Sequence, residues 1–110
     1  MRVIQLLPEL KIGGVERGTV DLSDHLKKLG HESAVISAGG GLISLLNDHG
    51  AKHYTLPIAK KNITALFQVK NLRKIYSEFQ PDIVHVRSRF PAWINYLALK
   101  NFNKKKPIVV

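Results

Sequence analysis

Apolar runs and amphipathic stretches alternate along this chain. "RVIQLL" at 2–7 is a short continuous apolar run, the pattern of a strand buried on both faces. A helix is expected from about Val15, with Val15, Leu22, Leu26 and Leu29 as its apolar stripe and Glu16, Asp21, Asp24, Lys27 and Lys28 off it. Gly30 stands where a left-handed C-cap belongs. "ESAVISA" at 32–38 reads as a second strand broken by the three glycines 39–41. A brief helix over 42–49 follows and ends at Gly50, and a third strand over 52–58 is weakened by Pro57.

The longest helical pattern spans 62–79. Ile63, Leu66, Phe67, Leu72, Ile75, Tyr76 and Phe79 form its stripe, Asn62 or Thr64 serves as cap, and Pro81 stops it. "DIVHV" at 82–86 is a fourth strand. Pro91 suits the first turn of the next helix, where its missing N–H leaves no bond unmade, and that helix is expected to run to about Phe102. "KKKPIVV" at 104–110 then turns into a fifth strand whose apolar side chains no later helix of this sequence covers. Strand–helix alternation throughout predicts an α/β fold: a Rossmann-like parallel sheet flanked by helices, with ligands beyond the carboxyl ends of the strands.

Composition narrows the chemistry. The 110 residues suffice for one core, and with 45% hydrophobic and 23% charged residues the chain is ordinarily globular. There is no cysteine, so a thiolate nucleophile, a disulfide framework and a sulfur-ligated metal are excluded. No apolar run is long enough for a signal peptide or a membrane span, from which a cytoplasmic protein is expected. The net charge of +9 sits almost wholly in the second half. Residues 51–110 hold twelve Lys/Arg against Glu78 and Asp82, whereas residues 1–50 are nearly balanced. Such asymmetry points to an anionic partner or to a solvated basic face.

The candidate chemistry lies in the turn after the first strand, "KIGGVERG". The dinucleotide fingerprint G-x-G-x-x-G fails, because Gly13 and Gly14 are adjacent and Gly18 comes next. No acidic residue closes the second strand either, which disfavours a dehydrogenase or epimerase fragment. The P-loop fails as well: Gly13 and Gly18 are correctly separated, but Thr19 holds the lysine position and Val20 the hydroxyl position. Two readings remain. Gly13 and Gly14 either supply a tight turn alone, or bring bare helix N–H groups close to an anion such as a diphosphate.

The order of motifs resembles the N-terminal domain of GT-B glycosyltransferases of the retaining group called family four. The matching residues are Gly13, Gly14, Val15 and Glu16, then Leu26, Gly30, His31 and Glu32, then Pro81, Asp82, Ile83, Val84 and His85. The resemblance implies sugar transfer from a nucleotide-sugar donor to a glycan or lipid-linked acceptor, with Gly13 and Gly14 beside the donor diphosphate. It further implies that residues 1–110 are a partial, acceptor-side N-terminal domain. The donor-binding C-terminal domain with its E-x7-E segment, and the T-x-H-G/D turn after the fifth strand, would lie outside this chain. No catalytic residue is then expected within it, no cofactor is needed, and the chain by itself is expected to be inactive.

Where many relatives read H-x-H, this chain reads His85, Val86, Arg87. That variant resembles a subgroup serving lipopolysaccharide and related surface glycans. Arg87 and Arg89 become candidates to hold an acceptor phosphate or carboxylate, or are ordinary surface arginines. His85 is expected as a hydrogen-bonded core histidine, Trp93 as core packing, and Glu16 as a first-turn carboxylate complementing the helix dipole.

Lys60, Lys61, Lys70, Arg73 and Lys74 form a basic set off the apolar stripe and are candidates to face an anionic membrane surface, which would place the protein on the inner face of the membrane. Nucleic acid is not expected, since the aromatic residues Phe67, Tyr76 and Phe79 lie on the core stripe and interleave no charges. No metal site is expected: His49 and His53 are separated by Gly50 and a change of element. The alternative to a transferase is a non-catalytic Rossmann-like module that binds phosphate groups or acidic partners.

Overall fold

Strand and helix do alternate throughout the computed structural model, which describes residues 1–8, 14–48, 51–57, 68–87, 89–100 and 102–110; at 14, 15, 45, 47, 48, 89 and 90 the backbone alone is described. The elements are β1 (Arg2–Leu6), α1 (Gly14–Lys28), β2 (Glu32–Ser37), α2 (Ile43–Asp48), β3 (Lys52–Thr55), α3 (Gln68–Phe79), β4 (Ile83–Val86), α4 (Arg89–Leu99) and β5 (Ile108–Val109). The expected caps Asn62 and Thr64, the stripe residues Ile63, Leu66 and Phe67, and Gly50 lie outside the described residues. The five strands form one parallel sheet in the order β3-β2-β1-β4-β5. The chain therefore winds outward from β1 in one direction, then crosses back to place β4 on its other side. The reversal falls between β1 and β4, whose carboxyl ends form the switch point where such sheets bind ligands.

Both faces of the sheet are covered. Ile4 and Leu6 of β1, Ala34 and Ile36 of β2 and Val84 of β4 pack against Leu72, Ile75, Tyr76 and Phe79 of α3 and Ile94, Ala98 and Leu99 of α4. The opposite face joins Leu7, Val35, Val20 of α1, Leu42, Leu46 and Ala51. Strand register fixes which residues share a face, because Gln5 lies opposite Val35 on one side and His85 on the other. Gln5, His85 and Arg87 thus stand on the α1 face of the sheet.

α1 ends in a Schellman motif, as Gly30 predicts: Gly30 has φ 87°, its N–H donates to Lys27 O at 3.0 Å, and His31 N–H donates to Leu26 O at 3.0 Å. The buried face of α1 differs from the expected stripe. Thr19, Val20 and Ser23 are buried, Leu22 and Leu26 half-buried, and Leu29, just past the helix end, is 60% exposed. Short polar side chains suit this contact because a sheet glutamine bonds to the Ser23 hydroxyl and to the backbone carbonyl of Thr19.

α4 corrects a second expectation. Its buried positions are Pro91, Ile94, Asn95, Ala98 and Leu99, continued by Phe102, which is a helical face of the usual spacing. Trp93 falls off that face and is 60% exposed, so it is not core packing. Tyr96, one turn on, meets it edge to face at 6.3 Å. Arg73 of α3 reaches across to the end of α4, donating from Nε to Ala98 O at 3.0 Å and from Nη2 to Leu97 O at 3.2 Å. With Lys100 N–H on Tyr96 O and Phe102 N–H on Leu99 O, all four terminal carbonyls of α4 are satisfied.

Arg2 ties the amino-terminal edge of the sheet together. Its N–H donates to Asp82 Oδ2 at 2.8 Å, Nε donates to Phe79 O, the guanidinium lies over the Phe79 ring, and Nη1 pairs with Glu32. At the β5 edge, Ile108, Val109 and Val110 are exposed, as the uncovered fifth strand predicts, beside a groove of about 780 Å³ lined by Val86, Ala92, Tyr96 and Leu99.

Candidate functional site

The switch point is built on Gln5. In the middle of an apolar strand this side chain is 0% exposed, and burial of an amide demands that its hydrogen bonds be met. They are met by two elements. Nε2 donates to Thr19 O at 3.0 Å and to Ser23 Oγ at 2.9 Å, both on α1, and Ser33 Oγ of β2 donates in turn to Ser23 Oγ at 3.1 Å. Oε1 accepts from Arg87 Nε at 3.0 Å. A polar chain thus runs from β2 through α1 and β1 to the end of β4. The sequence reading missed Gln5, although one amide inside "RVIQLL" was the available signal.

Arg87 follows the last residue of β4, its backbone N–H tied to Leu6 O at 2.9 Å. The guanidinium is half-buried at the carboxyl ends of β1 and β4. His85, two residues earlier and on the same face, has its pKa lowered by burial and, second, by the Arg87 charge. A neutral imidazole beside a fixed cation leaves the local charge to Arg87. The expected hydrogen bond holding His85 in the core is not found among the described residues; the ring is only half-buried.

Gly14 opens α1, so the first amides of that helix lie at the carboxyl edge of the sheet, while Gly13 lies outside the described residues. Arg89 is the first residue of α4, where its backbone alone is described. Of the sequence-derived candidates, then, Gly14 and Arg87 are brought to one rim by the fold.

A second polar cluster at that rim escaped the sequence reading altogether. Ser37 Oγ lies 2.7 Å from His53 Nε2 and accepts the Gly39 N–H at 3.1 Å, and Thr55 Oγ1 stands 3.4 Å from His53 Nδ1. Burial lowers the His53 pKa. Ser37 is fully buried, so the cluster anchors the start of the glycine turn rather than presenting a nucleophile. His49 lies outside the described residues, which contain no group of ligands fit to hold a metal.

These two histidines set a pH dependence. Each has a folded pKa below its ordinary 6.5, so below that pH the unfolded chain binds more protons than the folded one. Their contribution to stability is fully present above 6.5 and is lost as pH falls through the lower folded values. Urea midpoints should therefore decrease between about pH 7.5 and pH 5, and His53→Gln should flatten part of that slope. Equal midpoints at both pH values would contradict the assignment.

The basic face is only partly as expected. Lys70 and Lys74 are exposed on α3, Lys60 and Lys61 lie outside the described residues, and Arg73 is engaged by the carbonyl end of α4. Lys100, Lys104, Lys105 and Lys106 add exposed charge after α4, where Lys104 Nζ reaches Ser77 O of α3. No helix among the described residues is long and apolar enough to cross a membrane.

Likeness to known proteins covers nearly the whole chain. The profile of Glycosyltransferase Family 4 matches residues 12–110. The chain superposes on the crystal structure of a glycosyltransferase from Rickettsia africae ESF-5 with a TM-score of 0.82 and 38% identity, over 98% of this chain and 28% of that one. MurG of Acinetobacter baumannii is similar at a TM-score of 0.59 and 12% identity, over 99% of this chain and 44% of that one, a likeness of fold alone. This chain therefore spans less than half the length of either structure. The curated proteins contain no match.

Proposed function

The chain belongs to Glycosyltransferase Family 4, and from that premise we propose that it forms the N-terminal, acceptor-side unit of a two-domain GT-B enzyme. That enzyme moves a sugar from a nucleotide-sugar to a glycan or lipid-linked acceptor in cell-surface polysaccharide assembly, with retention at the anomeric carbon. The observation that carries the reading is Arg87, a cation held by Gln5 at the switch point on the rim where α1 begins. Such a site suits an anionic group, and both diphosphate donors and phosphate-bearing acceptors supply one. A single domain offers one wall of a cleft and cannot by itself orient donor and acceptor for reaction. The 110-residue chain is accordingly inactive alone.

The test is a graft. Residues 1–110 replace the corresponding segment of the Rickettsia africae glycosyltransferase, and sugar release or transfer from nucleotide-sugars is measured. Activity in the graft and none in the isolated chain is expected. A folded graft that binds nucleotide-sugars without transferring sugar would instead favour a non-catalytic phosphate-binding module.

The enzyme works in the cytoplasm, peripherally on the inner face of the membrane. Support comes from the exposed Lys70, Lys74, Lys100 and Lys104–Lys106 and from the exposed aromatic pair Trp93 and Tyr96, a combination of charge and amphipathic rings suited to a headgroup layer. Co-sedimentation with vesicles containing anionic phospholipid should be seen at about 0.05 M salt and lost at about 0.5 M. A chain that stays in the supernatant at low salt would remove this part of the proposal.

A further inference from the structure

We infer that Gln5 is a positioning residue that turns Arg87 into a one-edged anion fork. The inference rests on the reading of the switch point as an anion site and says how that site is built. A guanidinium can meet a phosphoryl group in two bidentate ways, through Nε with one terminal nitrogen, or through its two terminal nitrogens. Here Nε is spent on Gln5 Oε1 at 3.0 Å, which removes the first way. Only the Nη1/Nη2 edge is left to meet a ligand, and its direction is set by Gln5.

Gln5 itself cannot rotate to release Arg87 without loss. Its Nε2 is held by Thr19 O and Ser23 Oγ, and Ser23 is held by Ser33. An amide flip would aim its oxygen at the Thr19 carbonyl and its donors at the guanidinium, two repulsive contacts in a buried place. Gln5, Ser23, Ser33 and Arg87 come from β1, α1, β2 and the end of β4, so the direction of the fork is a property of the packed domain. His85, neutral on the same face, adds no second charge, and the fork is suited to one phosphoryl group.

The test uses the 110-residue chain, with inorganic pyrophosphate and inorganic phosphate as probes at constant ionic strength. Wild-type protein labelled with nitrogen-15 should show a protected Arg87 Nε–H resonance that barely moves on titration, while the Nη resonances shift. Gln5→Leu is nearly isosteric. It leaves Thr19 O in its helix and Ser23 Oγ still bonded to Ser33, and it should keep the fold. It should abolish the Nε–H protection and weaken pyrophosphate binding about tenfold. In an Arg87→Lys background the same Gln5→Leu change should have no effect on binding, because the lysine offers no fork to orient. That coupling is a readout a merely structural glutamine would not give.

Should Gln5→Leu fail to fold, Ser23→Ala decides by the same criteria, with a loss of two- to threefold. Equal affinity and unchanged Nε–H protection in the folded variant would overturn the inference. So would an equal loss in the wild-type and Arg87→Lys backgrounds. Stronger response to pyrophosphate supports a fork turned toward the donor diphosphate, and stronger response to phosphate one turned toward a monophosphate on the acceptor. Failure of this coupling leaves the transferase reading intact, and an inactive graft with the coupling present removes that reading while leaving the fork.

Discussion

Replacing Tyr76 by alanine should destabilise the domain by about 3–5 kcal/mol, the usual range for removing a large aromatic side chain from a core. Tyr76 projects from α3 into the seam with α4. It is fully buried, its ring meets Phe102 edge to face at 6.4 Å, and its hydroxyl donates to Asn95 Oδ1 at 2.5 Å. Burial pushes its phenol pKa far up, so it remains the neutral donor at any working pH. A domain of this size holds about 5–15 kcal/mol in all. The expected loss is therefore a large share of the total and lowers Tm by about 15 °C or more. Tyr76→Phe isolates the polar part. It keeps the ring and strands Asn95 Oδ1 in the seam, for an expected loss of about 1–3 kcal/mol. Denaturation followed by circular dichroism measures both. A loss below about 1 kcal/mol for the alanine variant would mean that the α3–α4 seam repacks around the gap.

The largest functional effect is expected at Arg87. In the grafted enzyme, Arg87→Ala should lower kcat/KM by about 10²–10³, the scale seen when one preorganised charged or polar group is taken from a reacting site. Arg87→Lys should recover little, since it restores the charge without the planar fork. The domain itself should survive, at a cost of about 1–3 kcal/mol for the one buried Gln5 oxygen left unpaired. A readout on stability separates the two effects: Arg87→Ala should stay folded at the assay temperature, with a thermal midpoint only moderately lowered, while turnover falls. As a surface control, Arg17→Ala breaks only the exposed 3.9 Å pair with Asp21 and should leave turnover unchanged. An Arg87→Ala graft of wild-type activity would remove this site from the mechanism.

Parallel strands buried on both faces read as apolar runs, and here Gly30, the glycines at 39–41 and Pro81 mark the joins. For that reason element order and sheet type are legible from the residues. The motifs around Gly14 and His85 carry the family. The faces of the helices are less legible. Leu29 reads as a stripe residue but lies beyond the end of α1, while Ser23 is buried where its hydroxyl accepts from Gln5 and Thr19 is buried one turn before it, its backbone carbonyl accepting from the same amide. Size alone suggests a core position for Trp93, though the spacing of Pro91, Ile94, Asn95, Ala98, Leu99 and Phe102 already leaves it outside. Arg73 reads as one of a basic set because nothing in its local sequence shows the carbonyl end of α4 that it caps.

By itself, then, the sequence determined the alternation of elements, their parallel winding, the glycine-opened first helix and the basic second half. These follow from local periodicity, capping and charge, which act over a few residues. Only the tertiary structure decided that Gln5 would hold Arg87, 82 positions away, and that Ser37 would meet His53 across two neighbouring strands. The physical reason is that register and helix packing bring together polar groups with no local relation, and burial then leaves them no partner but one another.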